Sequence, residues 1–216
     1  MIKKARLAAA LAVALGPVAT WADPIIVDID ATLHNTDDPV FVTLPAGTYT
    51  VTPVGIAGGG LYDAWNPWGD TTCTEPTGCP QTVPTTEIGW KFSYDVLADA
   101  FGAVSVDGTP LAPEETEHPG NYWVVSASAP DRYHVDNETV YPSAADALAS
   151  SLASSFTLTA AGPVGFAIRD GDTYDNLEGM SLEVVPEPSA QLQLSAGAGA
   201  LFALRRRRAR QPRPLR

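Results

Sequence analysis

Basic residues are almost missing from the body of this chain. Ten of its 13 Lys and Arg sit at the two ends, and residues 23–185 keep only Lys91, Arg132 and Arg169 against 24 of the 25 acids, a net of −21. So acidic a surface repels phosphate backbones and anionic lipid, which argues against nucleic acid as a partner and suits cations or neutral ligands. Histidine is scarce as well. His34, His118 and His134 stand apart beside loop residues and read as isolated surface side chains. There is no Gly-x-Ser-x-Gly, no His-Glu-x-x-His and no Cys–His pairing, so the signatures of serine, zinc and thiol hydrolases are missing. A glycosidase needs only two carboxylates, and that class stays open. No apolar run reaches the roughly 20 residues that a spanning helix asks for. What remains is 45% hydrophobic, too apolar for a disordered polymer, and 163 residues between 23 and 185 suffice for one domain with one core.

Cysteine is limited to Cys73 and Cys79. No histidine lies near them and the spacing is not Cys-x-x-Cys, so a metal site or redox pair is disfavoured. In an exported chain the pair is expected as a disulfide. Closing so short a loop stabilises by about 2–2.5 kcal/mol and mainly stiffens it.

Export is what the ends predict. Lys3, Lys4 and Arg6 precede the apolar run Leu7–Leu15, and Ala19-Thr20-Trp21-Ala22 offers a small-x-small cleavage site before Asp23. Residues 1–22 therefore read as a secretory signal helix. At the other end Pro186-Glu187-Pro188 leads into Ser189–Leu204, 16 mostly small and apolar residues, and then an arginine block from Arg205 to Arg216. The segment is a marginal transmembrane-like helix, and its arginines hold the C-terminus on the cytoplasmic side. An ordinary tail anchor would use the same parts. Tripeptide, hydrophobic segment and arginine cluster together resemble the PEP-CTERM sorting signal of exopolysaccharide-producing Gram-negative bacteria. The resemblance implies processing near Pro186, Glu187 and Pro188 by an exosortase-type membrane protease. Delivery to the envelope or extracellular matrix would follow, with the tail anchored only transiently in the inner membrane.

The body, 23–185, predicts a mainly β fold, a sandwich or jelly roll of about eight strands with one short helix. Ile25–Leu33 alternates, placing Ile25, Val27, Ile29 and Ala31 on one face. Val40–Leu44 and Thr48–Val54 flank Pro45-Ala46-Gly47 as an expected hairpin. Trp90, Phe92, Tyr94 and Val96 share a face of the next strand. Tyr122–Ser126, Phe156–Thr159, Val164–Ile168 and Met180–Val185 follow. A helix is expected over Ser143–Ser155, capped by Ser143 with Asp146 at the third position.

Two loops carry the candidate chemistry. In Gly58–Asp70, Asp63, Trp65, Asn66 and Trp68 crowd a Gly-rich, Pro-interrupted segment. Indole rings stack on the apolar faces of sugars, and Asp and Asn bond hydroxyls, so these four are candidate sugar-binding residues. Equally, Trp65 and Trp68 can plug one end of the core. In Asp170–Gly179, four acids, Asn176, Thr173 and free carbonyls supply the oxygens that Ca²⁺ takes in sixes to eights, although the spacing is not that of an EF-hand. A solvated acidic turn would look the same.

Together the loops resemble the calcium-dependent galactophilic lectins of bacteria, small β-sandwiches that bind galactose through a bridging Ca²⁺. Their late loop reads Asp-x₃-Thr-Tyr-x-Asn-Asn-x-Gly. Here Asp170, Thr173, Tyr174, Asn176 and Gly179 follow it with one residue fewer between Asp and Thr. Tyr62 and Trp68-Gly69-Asp70 follow the order of their early loop. The resemblance implies Ca²⁺ held by Tyr62 and Thr173 through backbone oxygens and by Asp170 and Asn176 through side chains. Leu177 stands where that family has a second Asn, and Asp175 or Asp172 is the available substitute. The family's galactose-contacting His–Pro pair has no counterpart after Asp70, and residues 97–155 read as an insertion. The implied partner is a galactose-like sugar or extracellular polysaccharide, bound without catalysis. A structural matrix protein on the same fold, lacking a specific sugar site, is the alternative.

Overall fold

The computed structural model describes residues 23–67, 89–114 and 120–188. Residues 1–22, read above as a signal, Trp68, Cys73, Cys79, His118 and the residues beyond Pro188 lie outside the described residues. The described part is mainly β. In chain order its strands are β1 (Ile25–Asp30), β2 (Val40–Leu44), β3 (Gly47–Val54), β4 (Trp65–Asn66), β5 (Tyr94–Ala98) and β6 (Phe101–Val106), then β7 (Thr109–Leu111), β8 (Tyr122–Val124), β9 (Asp131–Val135), β10 (Ser154–Leu158), β11 (Gly162–Ala167) and β12 (Leu177–Pro186). One antiparallel sheet runs β1-β12-β3-β10-β6-β7, with β4 added to β12, and a second runs β2-β11-β5-β9-β8. Their inner faces share one core, a sandwich-like arrangement built by alternation. Val27 and Ile29 of β1, Met180, Leu182 and Val184 of β12, Tyr133 and Val135 of β9, and Val164 and Phe166 of β11 are all buried in it.

Aromatic rings fill its centre. Tyr49 stacks on Phe156 at 5.3 Å, and Phe101 sets its edge against Phe156, Tyr133 and Trp123. The buried Tyr94 and Tyr133 hydroxyls both reach Ser154 Oγ at 2.9 Å, so neither phenol is left unsatisfied.

Several elements depart from the sequence reading. Val40–Leu44 and Thr48–Val54 are not a hairpin: β2 pairs with β11, whereas β3 pairs with β10 and β12. Pro45-Ala46 thus carries the chain from one sheet to the other. β1 stops at Asp30, whose carboxylate accepts from Thr32 N and Oγ1 while its carbonyl accepts from Leu33 and His34, a turn that ends the ladder. Ile25 is exposed rather than in the core. The helix α1 spans only Ala144–Ala149, capped by Ser143 Oγ accepting from Asp146 N as expected. Ser151 Oγ bonds the Leu148 carbonyl, competing with the helix backbone, and Phe156 belongs to β10.

Residues 97–155, read above as an insertion, are integral to both sheets. They supply β6 and β7 to one sheet and β8 and β9 to the other. β6 and β7 are joined by Asp107-Gly108, both at positive φ (46° and 74°), the conformation an Asp-Gly hairpin turn requires.

Candidate functional site

The outer face of the second sheet holds charge that the sequence reading did not anticipate. Tyr133 and Val135 of β9 point into the core, so Arg132 and His134 point outward, opposite Leu97 and Asp95 of β5. His134 is not a surface histidine. It is 4% exposed, with Asp95 fully buried beside it. Nδ1 of His134 meets Asp95 Oδ1 at 2.5 Å and its Nε2 lies 3.7 Å from Asp136 Oδ2. Lys91 Nζ bonds Asp136 Oδ2 at 3.0 Å, and Arg132 Nε stands 3.6 Å from Asp95 Oδ2. A ladder of alternating charge results, Lys91–Asp136–His134–Asp95–Arg132. Tyr122 stacks on the imidazole at 5.1 Å, and Arg169 lies over the same tyrosine ring, also at 5.1 Å, a cation–π contact. Burial pushes His134 down, but bonds and charge from Asp136 and Asp95 more than offset this and raise it. Asp136 is lowered: burial opposes ionisation, yet His134 and Lys91 outweigh it.

Beside the ladder is a cavity of about 490 Å³. It is lined by Asn35, Thr36 and Asp37, by Trp65 and Pro67, by Lys91 and Arg132, and by Arg169, Asp170 and Gly171. Its placement follows from backbone pairing. Trp65 and Lys91 exchange backbone hydrogen bonds of 3.2 and 2.8 Å, and the Ile168 amide donates to the His34 carbonyl, fixing the Asn35 loop against the end of β11. Asn35 Oδ1 accepts from the Asp37 and Asp38 amides. All three cations of the body thus face one cavity. Their positions, 91, 132 and 169, are too far apart for spacing to reveal this. Strand alternation and the scarcity of other cations were the available signals.

The predicted sugar residues divide. Trp65 lines the cavity yet is only 2% exposed, so it serves the core as well, and Asn66 is buried completely. Asp63 Oδ1 accepts from the Ile56 amide at 2.8 Å, closing its own loop. Asp63 and Tyr62 do not line the cavity. Residues 55–63 lie instead over the outer face of β1 and β12, where Leu61 N bonds Asp28, Tyr62 N bonds Ser181 Oγ at 3.0 Å, and the Tyr62 hydroxyl reaches Asp30. Gly179 admits that loop, since a Cβ there would meet both the Ile29 carbonyl and the Tyr62 ring.

Among the predicted calcium ligands, Asp170 and Asn176 come together at the late loop. Thr173 and Asp175 lie in its single 3₁₀ turn (Thr173–Asp175), and the Thr173 carbonyl accepts from Asn176 N at 3.3 Å. Asn176 is 2% exposed and Nδ2 donates to the Ala31 carbonyl, while Oδ1 has no hydrogen-bond partner among the described residues. A buried carbonyl oxygen of that kind fits a cation ligand. Asp170 is raised by burial and then by the negative Asp175 and Asp172, a repulsion that a bound cation would relieve. Tyr62 faces Asp28, Asp30 and Glu178 instead. Among the described residues, no three His, Cys, Asp or Glu side chains form a metal-sized cluster. Any site there leans on Asn176 and main-chain oxygens.

The tripeptide Pro186-Glu187-Pro188 starts inside the sheet. Pro186 pairs with Tyr49, the Glu187 amide donates to the Thr48 carbonyl, and Thr50 Oγ1 donates to Glu187. No described helix is long and apolar enough to cross a membrane. Compared with models of known families, with curated proteins and with solved structures, the chain matches none.

Proposed function

We propose that this chain is an exported, exosortase-sorted matrix protein whose β-sandwich or jelly-roll domain binds carbohydrate without chemical turnover. One observation carries the reading: a 490 Å³ cavity that combines amide, hydroxyl, carboxylate and cationic groups. That volume suits a small ligand, and mixed donors and acceptors match a sugar's hydroxyls. His134 lies between Asp95 and Asp136, Lys91 bonds Asp136, and Arg132 stands in ion-pair range of Asp95, which supports a positioning role over a catalytic one. Ca²⁺ would be held by Asp170 and Asn176 with Thr173 and Asp175 of the late loop, and would supply a charge for sugar hydroxyls to coordinate. Because Asp170 and Gly171 also line the cavity, metal and sugar would share a wall.

Millimolar Ca²⁺ should therefore raise the melting temperature, by binding the native state alone, and Asp170→Asn should abolish that rise. In chelator the same variant should melt about 1–2 °C higher than wild type, since the removed carboxylate is half-buried and crowded by acids. Binding of the mature protein to a glycan array, with Ca²⁺ and with chelator, tests the whole reading. Chelator-sensitive binding to a restricted set of glycans supports it. Absence of binding under both conditions leaves a structural matrix protein.

A further inference from the structure

The body is so acidic that its ligand is expected to be neutral or cationic, yet the cavity contradicts that expectation locally. Lys91, Arg132 and Arg169 are the three basic residues between 23 and 185, and all three line it. Each is braced from behind. Asp136 holds Lys91, the fully buried Asp95 holds Arg132, and the Tyr122 ring supports Arg169. Burying a carboxylate on the outer face of a sheet is costly, and here Asp95 fixes a guanidinium at the cavity wall. The local count is also unlike the rest of the body. In the cavity lining Lys91, Arg132 and Arg169 face only Asp37 and Asp170, so the lining carries a net positive charge within a domain of net −21.

We infer that the cavity takes a carboxylate-bearing sugar, a uronic acid unit of an acidic polysaccharide. Arg169, Arg132 and Lys91 surround the carboxylate, and Asn35 and Asp170 bond hydroxyls. This rests on the carbohydrate reading above and narrows it to a substrate class. Guanidinium groups match the planar geometry of a carboxylate. The acidic remainder does not forbid such a ligand, because repulsion beyond about 10 Å is screened at 0.1 M salt. It favours recognition by contact inside the cavity over capture at a distance.

The test is calorimetric titration of the mature protein, in Ca²⁺ and 0.15 M salt, with uronate oligosaccharides. Glucuronate, galacturonate and mannuronate oligomers are each set beside their carboxyl-reduced neutral counterparts. At least one acidic oligomer should bind about tenfold or more tightly than its reduced form, the usual weight of one charge-assisted contact. Arg169→Gln, at an exposed position that folding tolerates, should bring that ratio close to one. Equal affinity for acidic and reduced forms would overturn the uronate inference while leaving sugar binding intact. Failure of every oligomer in both forms would overturn the inference and the carbohydrate reading together.

Discussion

Asp95→Ala should destabilise the protein by about 3–5 kcal/mol, because it removes one member of a buried ionic ladder and leaves the others unmatched. In a domain of this size that corresponds to a melting temperature lower by about 10 °C. Asp95 has no exposure, and its two oxygens serve His134 Nδ1 and Arg132 Nε. Loss of the carboxylate strands a cation and an imidazole on the sheet face.

The effect should depend on pH in a definite direction. His134 is raised above its ordinary 6.5, so its contribution is full below about pH 6.5 and disappears as pH rises through the folded value. Asp136 is held below its ordinary 3.8, so its contribution is present above about pH 4 and is lost as pH falls through the folded value. Urea melts should therefore show a larger gap between wild type and Asp95→Ala below about pH 6.5 than on the alkaline side, where His134 loses its charge. A pH-independent gap would mean that His134 takes no part.

Phe156→Ala should cost a similar amount, about 3–5 kcal/mol, for a different reason. Phe156 is 1% exposed in β10, between β3 and β6, and its ring contacts Tyr49, Phe101 and Tyr133. These three flat side chains cannot collapse into the void, so the cavity cost adds to the lost burial. Chemical denaturation should report a lower midpoint with little change in slope. A loss under 1 kcal/mol would show that the aromatic centre repacks.

Much of the fold was legible wherever a strand has one wet and one dry face. Val27, Ile29 and Ala31 and the Ser143 cap read correctly because each is a local, period-2 or capping signal, whereas the expected strand from Trp90 is regular only over Tyr94–Ala98 and is buried on both faces, Asp95 and Leu97 included. The Asp107-Gly108 turn carried an equally local signal, and treating 97–155 as an insertion obscured it. Partner choice was not legible. Nothing within Val40–Val54 says whether adjacent strands pair or part, since that depends on β10, β11 and β12, more than a hundred residues away. The site divides in the same way. The late loop's oxygens announce themselves by density along the chain. Lys91, Arg132 and Arg169 meet only through the second sheet's register, and His134 looks solitary until β5 and β9 place Asp95 opposite it. Tyr62 was joined to the calcium set by motif order, and the backbone lays it over β1 and β12, the strand that follows Asn176.

The most direct test of a carbohydrate site at this cavity is amide and indole chemical-shift mapping of the isotopically labelled mature protein during titration with a bound oligosaccharide. The account predicts that the largest shifts fall at Asn35–Asp37, Lys91, Arg132 and Arg169–Gly171, which are distant in sequence and adjacent in the fold. Shifts concentrated elsewhere on the surface, with those positions unmoved at saturation, would contradict it.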